Sequence, residues 1–213
     1  DAGATPYGLM PPHTLARRVR AVAEALCDLG ADEVIVACNA ASSILPLPQP
    51  PCPMRGVIAP GIAAALQAPG AIGVIGGVRT IASRRHEDAL RAAGRVVCSR
   101  VAQPLSALVE QGHTSGPAVT AAIREILDPI AEVEVLLLAC THYPALRAAI
   151  SEAYPHMVLV DPCAALAATV EAVGGPSRFL TSGDPGAMRA AAAAVWGLEL
   201  GVVERAQWPI SPE

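Results

Sequence analysis

The 213-residue chain carries 15 arginines, no lysine and 19 acidic residues, for a formal charge of −4; 53% of it is hydrophobic and only 3% aromatic. That length and apolar content allow one large or two small domains with a real core. Without lysine there is no Schiff-base chemistry of the pyridoxal-phosphate kind and no P-loop, the acidic balance offers nucleic acid no basic footprint, and no apolar run reaches the roughly 18 residues of a membrane span.

The expected elements alternate between helix and strand, which argues for an α/β fold with mainly parallel sheets. Leu15, Val19, Val22, Ala23 and Leu26 repeat at helical spacing over Pro12–Leu29, and Gly30 follows as a cap. Glu33–Ala37 reads as a short buried strand, and 45–53 (LPLPQPPCP) as a Pro-rich loop. Val57–Ile58 and Ile72–Ile75 are the next strands, followed by one helix over Thr80–Ala93 and a strand over Val96–Arg100. Helices are expected over 104–111 and 117–128. Glu134–Leu138 is a second long apolar strand, and Pro144 opens a helix at its first turn. Met157–Val160 leads to Asp161, expected as a helix cap rather than a catalyst. Phe179–Thr181 is the last expected strand, and Ser182 or Asp184 caps a final helix ending at Trp196.

Two of the strands end alike. EVIVACNAASS carries Cys38 and EVEVLLLACTHYP carries Cys140. In each an acid opens an apolar run, and Ala, Cys and then Asn39 or Thr141 follow. Ligands of open α/β sheets bind beyond the carboxyl ends of strands, where both thiols fall. A thiol there meets helix N-terminal N–H groups, which are expected to lower its pKa. Two such thiols on either side of one carbon suit a racemase that needs no cofactor. His142 stands two residues from Cys140 and can exchange a proton with it. The remaining cysteines fit neither a CxxC pair nor a zinc spacing, so no metal is expected. Cys27 and Cys98 are expected in the core, and His13, His86, His113 and His156 on the surface. No signal-peptide pattern is visible, so a cytoplasmic location is expected.

The segments Pro6–Tyr7–Gly8, VACNAAS, GVIAPG, GVIGGVRTIAS, PLSALVEQG, LACTHYPAL and RFLTSGDP together resemble the bacterial glutamate racemases of the aspartate/glutamate racemase superfamily. The resemblance implies two pseudo-symmetric α/β domains, 1–58 with 165–213 and 59–164, and a site between them. It implies Cys38 and Cys140 as acid/base thiols, assisted by His142 and Glu110. Tyr7, Gly8, Asn39, Ala40, Thr80, Thr141 and His142 would bind the substrate. It further implies glutamate as the small-molecule substrate, D-glutamate supply to peptidoglycan as the role, no cofactor, and a possible homodimer.

The chain also departs from that pattern. The family opens with a strand ending in Asp-Ser-Gly, which nothing before Asp1 supplies, so upstream residues are expected. Ala40 stands where the family has Thr, Gly77 where Thr is common, and Ala139 where Gly is common. Two alternatives stay open: a racemase of aspartate or another small acid, and a catalytically weak relative that binds a partner such as DNA gyrase.

Overall fold

The computed structural model describes residues 1–2, 6–171 and 174–208. A 3-10 turn at Tyr7–Leu9 leads into α1 (Pro12–Asp28), β1 (Val34–Val36), α2 (Asn39–Ser42), β2 (Met54–Gly56) and α3 (Ile58–Ala65). Next come β3 (Ile72–Gly76), α4 (Val78–Ala82), α5 (Arg85–Ala92), β4 (Val97–Val101), α6 (Gln103–Glu110) and α7 (Pro117–Leu127). β5 (Val135–Ala139), α8 (Arg147–Ala153), β6 (Val158–Val160) and α9 (Pro162–Ala167) follow, and β7 (Phe179–Thr181), α10 (Pro185–Trp196) and β8 (Val203–Arg205) close the order.

The main sheet runs β4-β3-β5-β6, all parallel. Every residue of β3 and β5 is buried, as expected for strands covered on both faces. The alternation of side chains sorts them. Ile75, Leu136 and Leu138 pack with Leu105, Val109, Ile123 and Ile150 on one face. Ile72, Val74, Val135 and Leu137 pack with Ala65, Leu90 and Val160 on the other. Each buried leucine of β5 contributes roughly 1.5–3 kcal/mol. Gly76 is level with Val101 and with Ala139, so the carboxyl ends of β3, β4 and β5 form one rim. The chain leaves β3 for β4 on one side and then crosses to β5 on the other. That reversal opens a crevice at the rim.

The remaining strands form two parallel pairs, β1–β2 and β7–β8. Such pairs are marginal without packing. For β1–β2 the support is a small core of Leu15 and Val19 from α1 with Ala41, Leu45 and Leu47.

Several expectations need correction. Val57–Ile58 is not a strand: β2 is Met54–Gly56, in register with Val34–Val36, and Ile58 starts α3. Gly61 survives inside α3 because any side chain there would meet Pro162 of α9, its Cβ landing 2.8 Å from that of the proline. The helix expected over Thr80–Ala93 is two helices. Ser83 Oγ donates to the Thr80 carbonyl at 2.7 Å, and Arg84 turns left-handed at φ +55°. Arg84 then pairs with Glu87 and Asp88 in the first turn of α5. Pro144 lies in a 3-10 turn, Tyr143–Leu146, ahead of α8. Cys98 is exposed and Cys27 only half-buried. His86 is buried, and neither ring nitrogen has a hydrogen-bond partner among the described residues. Burial, and then the neighbouring Arg85, push its pKa down to about 4.

Candidate active site

Both thiols line one cleft. Its wall includes Tyr7, Gly8, Cys38, Asn39 and Ala40 from the smaller half, and Gly77, Thr80, Cys140, Thr141 and His142 from the rim of the main sheet. Its volume is about 580 Å³, counted out to open solvent. Every residue singled out from the sequence as a site candidate therefore faces one cavity, Glu110 included.

Cys140 follows β5, the most buried strand, and the turn behind it is anchored by Tyr143. That ring is fully buried and its hydroxyl donates to the Ala102 carbonyl at 2.8 Å. Cys140 Sγ lies 3.5 Å from His142 Nδ1 and 3.7 Å from Ser106 Oγ. On its other side, His142 Nε2 lies 3.2 Å from Glu110 Oε1. A chain of groups thus runs from a half-buried thiol through an imidazole to a carboxylate that is 61% exposed. It can carry a proton between cleft and solvent.

Cys38 follows β1, and the backbone N–H groups of Ala41 and Ala40 face its sulfur. The expected lowering of the thiol pKa values is not what results. Burial dominates and pushes Cys38 up, with the two N–H groups only partly offsetting it. Burial also raises Cys140, against the N–H of His142 and the hydroxyl of Ser106. Each helix-terminal contribution is present with the expected sign and is outweighed by desolvation.

Asn39 is 2% exposed and on the cleft wall, yet neither its amide nitrogen nor its oxygen has a partner among the described residues. A buried amide left unpaired costs about 1–3 kcal/mol, which a polar ligand would recover. Thr80 is likewise buried at the wall. Tyr7 is held from behind: its hydroxyl donates to the Asp1 carboxylate, which also accepts from Arg18 Nε at 2.6 Å and Ser182 Oγ at 2.8 Å. Asp161 is a cap, its Oδ1 accepting from Cys163 N at 2.8 Å.

Two wall residues, Gln103 and Ser106, escaped the sequence reading. They were detectable: with Glu110 they sit at i, i+3 and i+7, one face of α6. Gln103 Oε1 accepts from Val78 N at 3.3 Å, and a Cβ at Gly77 would lie 2.8 Å from it. The amide therefore fills the space in which a side chain at 77 would stand.

The site is thus a switch-point crevice of a parallel α/β sheet, lined by two half-buried thiols, one of them beside a histidine, an arrangement suited to a small polar ligand. The chain belongs to the Asp/Glu/Hydantoin racemase family, whose sequence pattern matches residues 4–170. It is 38% identical to a glutamate racemase from Desulforudis audaxviator over 175 residues, 78% of this chain and 64% of that protein. The chain thus spans less than two thirds of that relative's length. Its fold is similar to that of glutamate racemase isoform RacE1 from Bacillus anthracis, with a TM-score of 0.89 at 26% identity, covering 99% of this chain and 87% of that one. A glutamate racemase from Thermus thermophilus, solved with β-chloro-D-alanine, gives a TM-score of 0.81 at 30% identity, covering 97% and 84%.

Proposed function

We propose that this protein racemises glutamate without a cofactor, Cys38 and Cys140 acting as the two acid/base groups. The observation that carries this is the pair of half-buried thiols lining one cleft, each with polar groups at its sulfur. One thiol, as thiolate, takes the α-hydrogen. The other delivers its proton to the opposite face, and the roles exchange for the reverse direction. His142 receives the Cys140 proton through Nδ1, and Glu110 steadies the resulting imidazolium at Nε2. Asn39, Thr80, Tyr7, Gly8, Ala40 and Thr141 hold the amino acid; the unpaired amide of Asn39 is the strongest support for a polar ligand.

Two α/β domains, 1–58 with 165–213 and 59–164, belong to the same proposal. Their support is that the cleft takes Cys38 from one range and Cys140 from the other. D-Glutamate supply to peptidoglycan, a cytoplasmic location and a homodimer rest on the family resemblance.

The test is α-hydrogen exchange. The full-length protein is incubated in D₂O with L- and with D-glutamate, then with both aspartates, and followed by proton NMR. Deuterium at Cα with inversion of glutamate is expected. A folded protein that exchanges neither enantiomer of either acid is not a racemase, and faster exchange of aspartate would reassign the substrate.

A further inference from the structure

Away from the cleft, two other thiols meet. Cys27 lies in the last turn of α1, and Cys52 in the Pro-rich segment just before β2. Their sulfurs are 2.7 Å apart, both half-buried, and the two residues stand 25 positions apart in sequence. Neither lines the cleft.

We propose that Cys27 and Cys52 form a reversible disulfide that latches the 45–53 loop to α1. The surroundings already hold the two sulfurs in place. Leu45 and Leu47 of the loop pack on Leu15 and Val19 of α1. Arg20 of α1 donates to the Gln49 carbonyl at 2.8 Å and to that of Pro48. Pro53, next to Cys52, accepts from Val34 N at 2.9 Å, where β1 begins. The sulfur pair therefore sits at the base of the β1–β2 unit, between segments that other bonds already fix. A covalent S–S bond spans about 2.05 Å, so closing it needs a movement of well under 1 Å. Two thiolates around a tetrahedral metal stand further apart, roughly 3.8 Å from the usual 2.3 Å bond length, so the geometry favours the covalent pair.

The oxidant is a small-molecule disulfide. One cysteine thiolate attacks a sulfur of it and displaces a small thiol. The second cysteine thiolate then attacks the mixed disulfide and displaces the other. The protein loses two hydrogens and one small disulfide becomes two thiols. Each attack needs a thiolate, and the hydrogen bond to Cys52, then burial and the nearby negative groups, Asp28 and Glu24 among them, push the Cys27 pKa up to about 11. Latching is therefore slow at neutral pH and faster as pH rises.

The experiment treats the reduced full-length protein with oxidised glutathione at pH 7 and pH 9. Peptide mapping under non-reducing conditions and a thermal melt follow. The expected result is a linked Cys27–Cys52 peptide, formed faster at pH 9. Tm should rise by about 5–10 °C for a closed loop of this length, and dithiothreitol should reverse both. Cys27→Ser and Cys52→Ser should each abolish the link and the Tm rise; if one of them misfolds, the other carries the test. Separate glutathione adducts on Cys27 and Cys52, or oxidation confined to the exposed Cys98, would overturn the proposal. So would a link without any change in Tm.

Discussion

The two halves of the cleft are built to different standards. Cys140 ends a fully buried strand inside a four-stranded sheet, and its neighbours Ser106, His142 and Glu110 are side chains. Cys38 ends a three-residue strand in a two-stranded pair and is faced by backbone N–H groups. Helix α2 behind it is four residues long. Matched sequence around two thiols thus does not produce matched surroundings. Among the described residues, the Cys140 half offers its proton a route through His142 and Glu110, whereas the N–H groups at Cys38 stabilise charge on its sulfur. Both thiols are raised by burial, so neither is a ready thiolate at neutral pH; Cys140 has an imidazole beside it to take its proton, whereas the N–H groups of Ala41 and Ala40 support the Cys38 thiolate once it forms.

The largest effect tests whether both halves are needed at all. Cys38→Ser and Cys140→Ser should each lower the racemisation rate by roughly a thousandfold or more, since each removes one acid/base group outright. Near-native turnover in either variant, measured by circular dichroism of the amino acid, would reduce the cleft to a single base. The next effect separates the halves. His142→Asn should lower kcat/KM by about a hundredfold. The loss must be equal for the two enantiomers, because they have equal free energy in water. The asymmetry appears instead in isotope effects. With Cys140 weakened, proton transfer at that thiol limits the rate in both directions. The α-deuterium effect on kcat/KM should then grow only for the enantiomer whose hydrogen Cys140 removes. Equal growth for both would mean that His142 serves the two halves alike.

Asn39 tests the Cys38 half by stability rather than rate. Its amide is buried and has no hydrogen-bond partner among the described residues. Asn39→Leu should therefore weaken substrate binding by about tenfold or more while raising Tm by a few degrees, as the unpaired polar group disappears. A fall in Tm would mean that the amide already has a partner in the free protein.

How much of this could be read from the chain follows the same division. β3 and β5 were legible because a strand covered on both faces must be apolar throughout, and VLLLA has no other reading at that length. Pro12–Asp28 was legible from its period and from Gly30, which does take a left-handed turn at φ +93°. The smaller half was harder. IAPGIAAA, with Pro and Gly inside it, looks like a strand and a loop, and the packing that suits it to a helix, with Ile58 and Ala65 buried and Gly61 close against Pro162, is not visible in the sequence. Arg84 breaks the 78–92 segment by a backbone conformation that composition does not announce. His86 was misplaced because a half-polar helix says which residues face inward only once its neighbours are known. The gathering of Tyr7, Asn39, Thr80, Glu110 and His142 around two thiols was legible through segment resemblance. The direction of the thiol pKa shifts was not, since helix termini are visible in sequence whereas depth of burial is not.

Ser106 gives the smallest effect and the finest cut between the halves. Its hydroxyl, 3.7 Å from Cys140 Sγ, lowers that thiol's pKa against burial. Ser106→Ala removes this contribution, so the Cys140 pKa rises further and less thiolate is present at neutral pH. Activity should fall by about threefold at pH 7, on the scale of one weak hydrogen bond. The loss should shrink as pH rises toward the thiol's own pKa, because the deficit is one of ionisation and alkali supplies it. In the Cys38 half the hydrogen bonds that lower the thiol's pKa come from the backbone N–H groups of Ala41 and Ala40, which a side-chain deletion at either residue leaves in place. A pH-independent loss in Ser106→Ala would show that Ser106 packs against the sulfur without tuning it, and the difference between the halves would then rest on His142 and Glu110 alone.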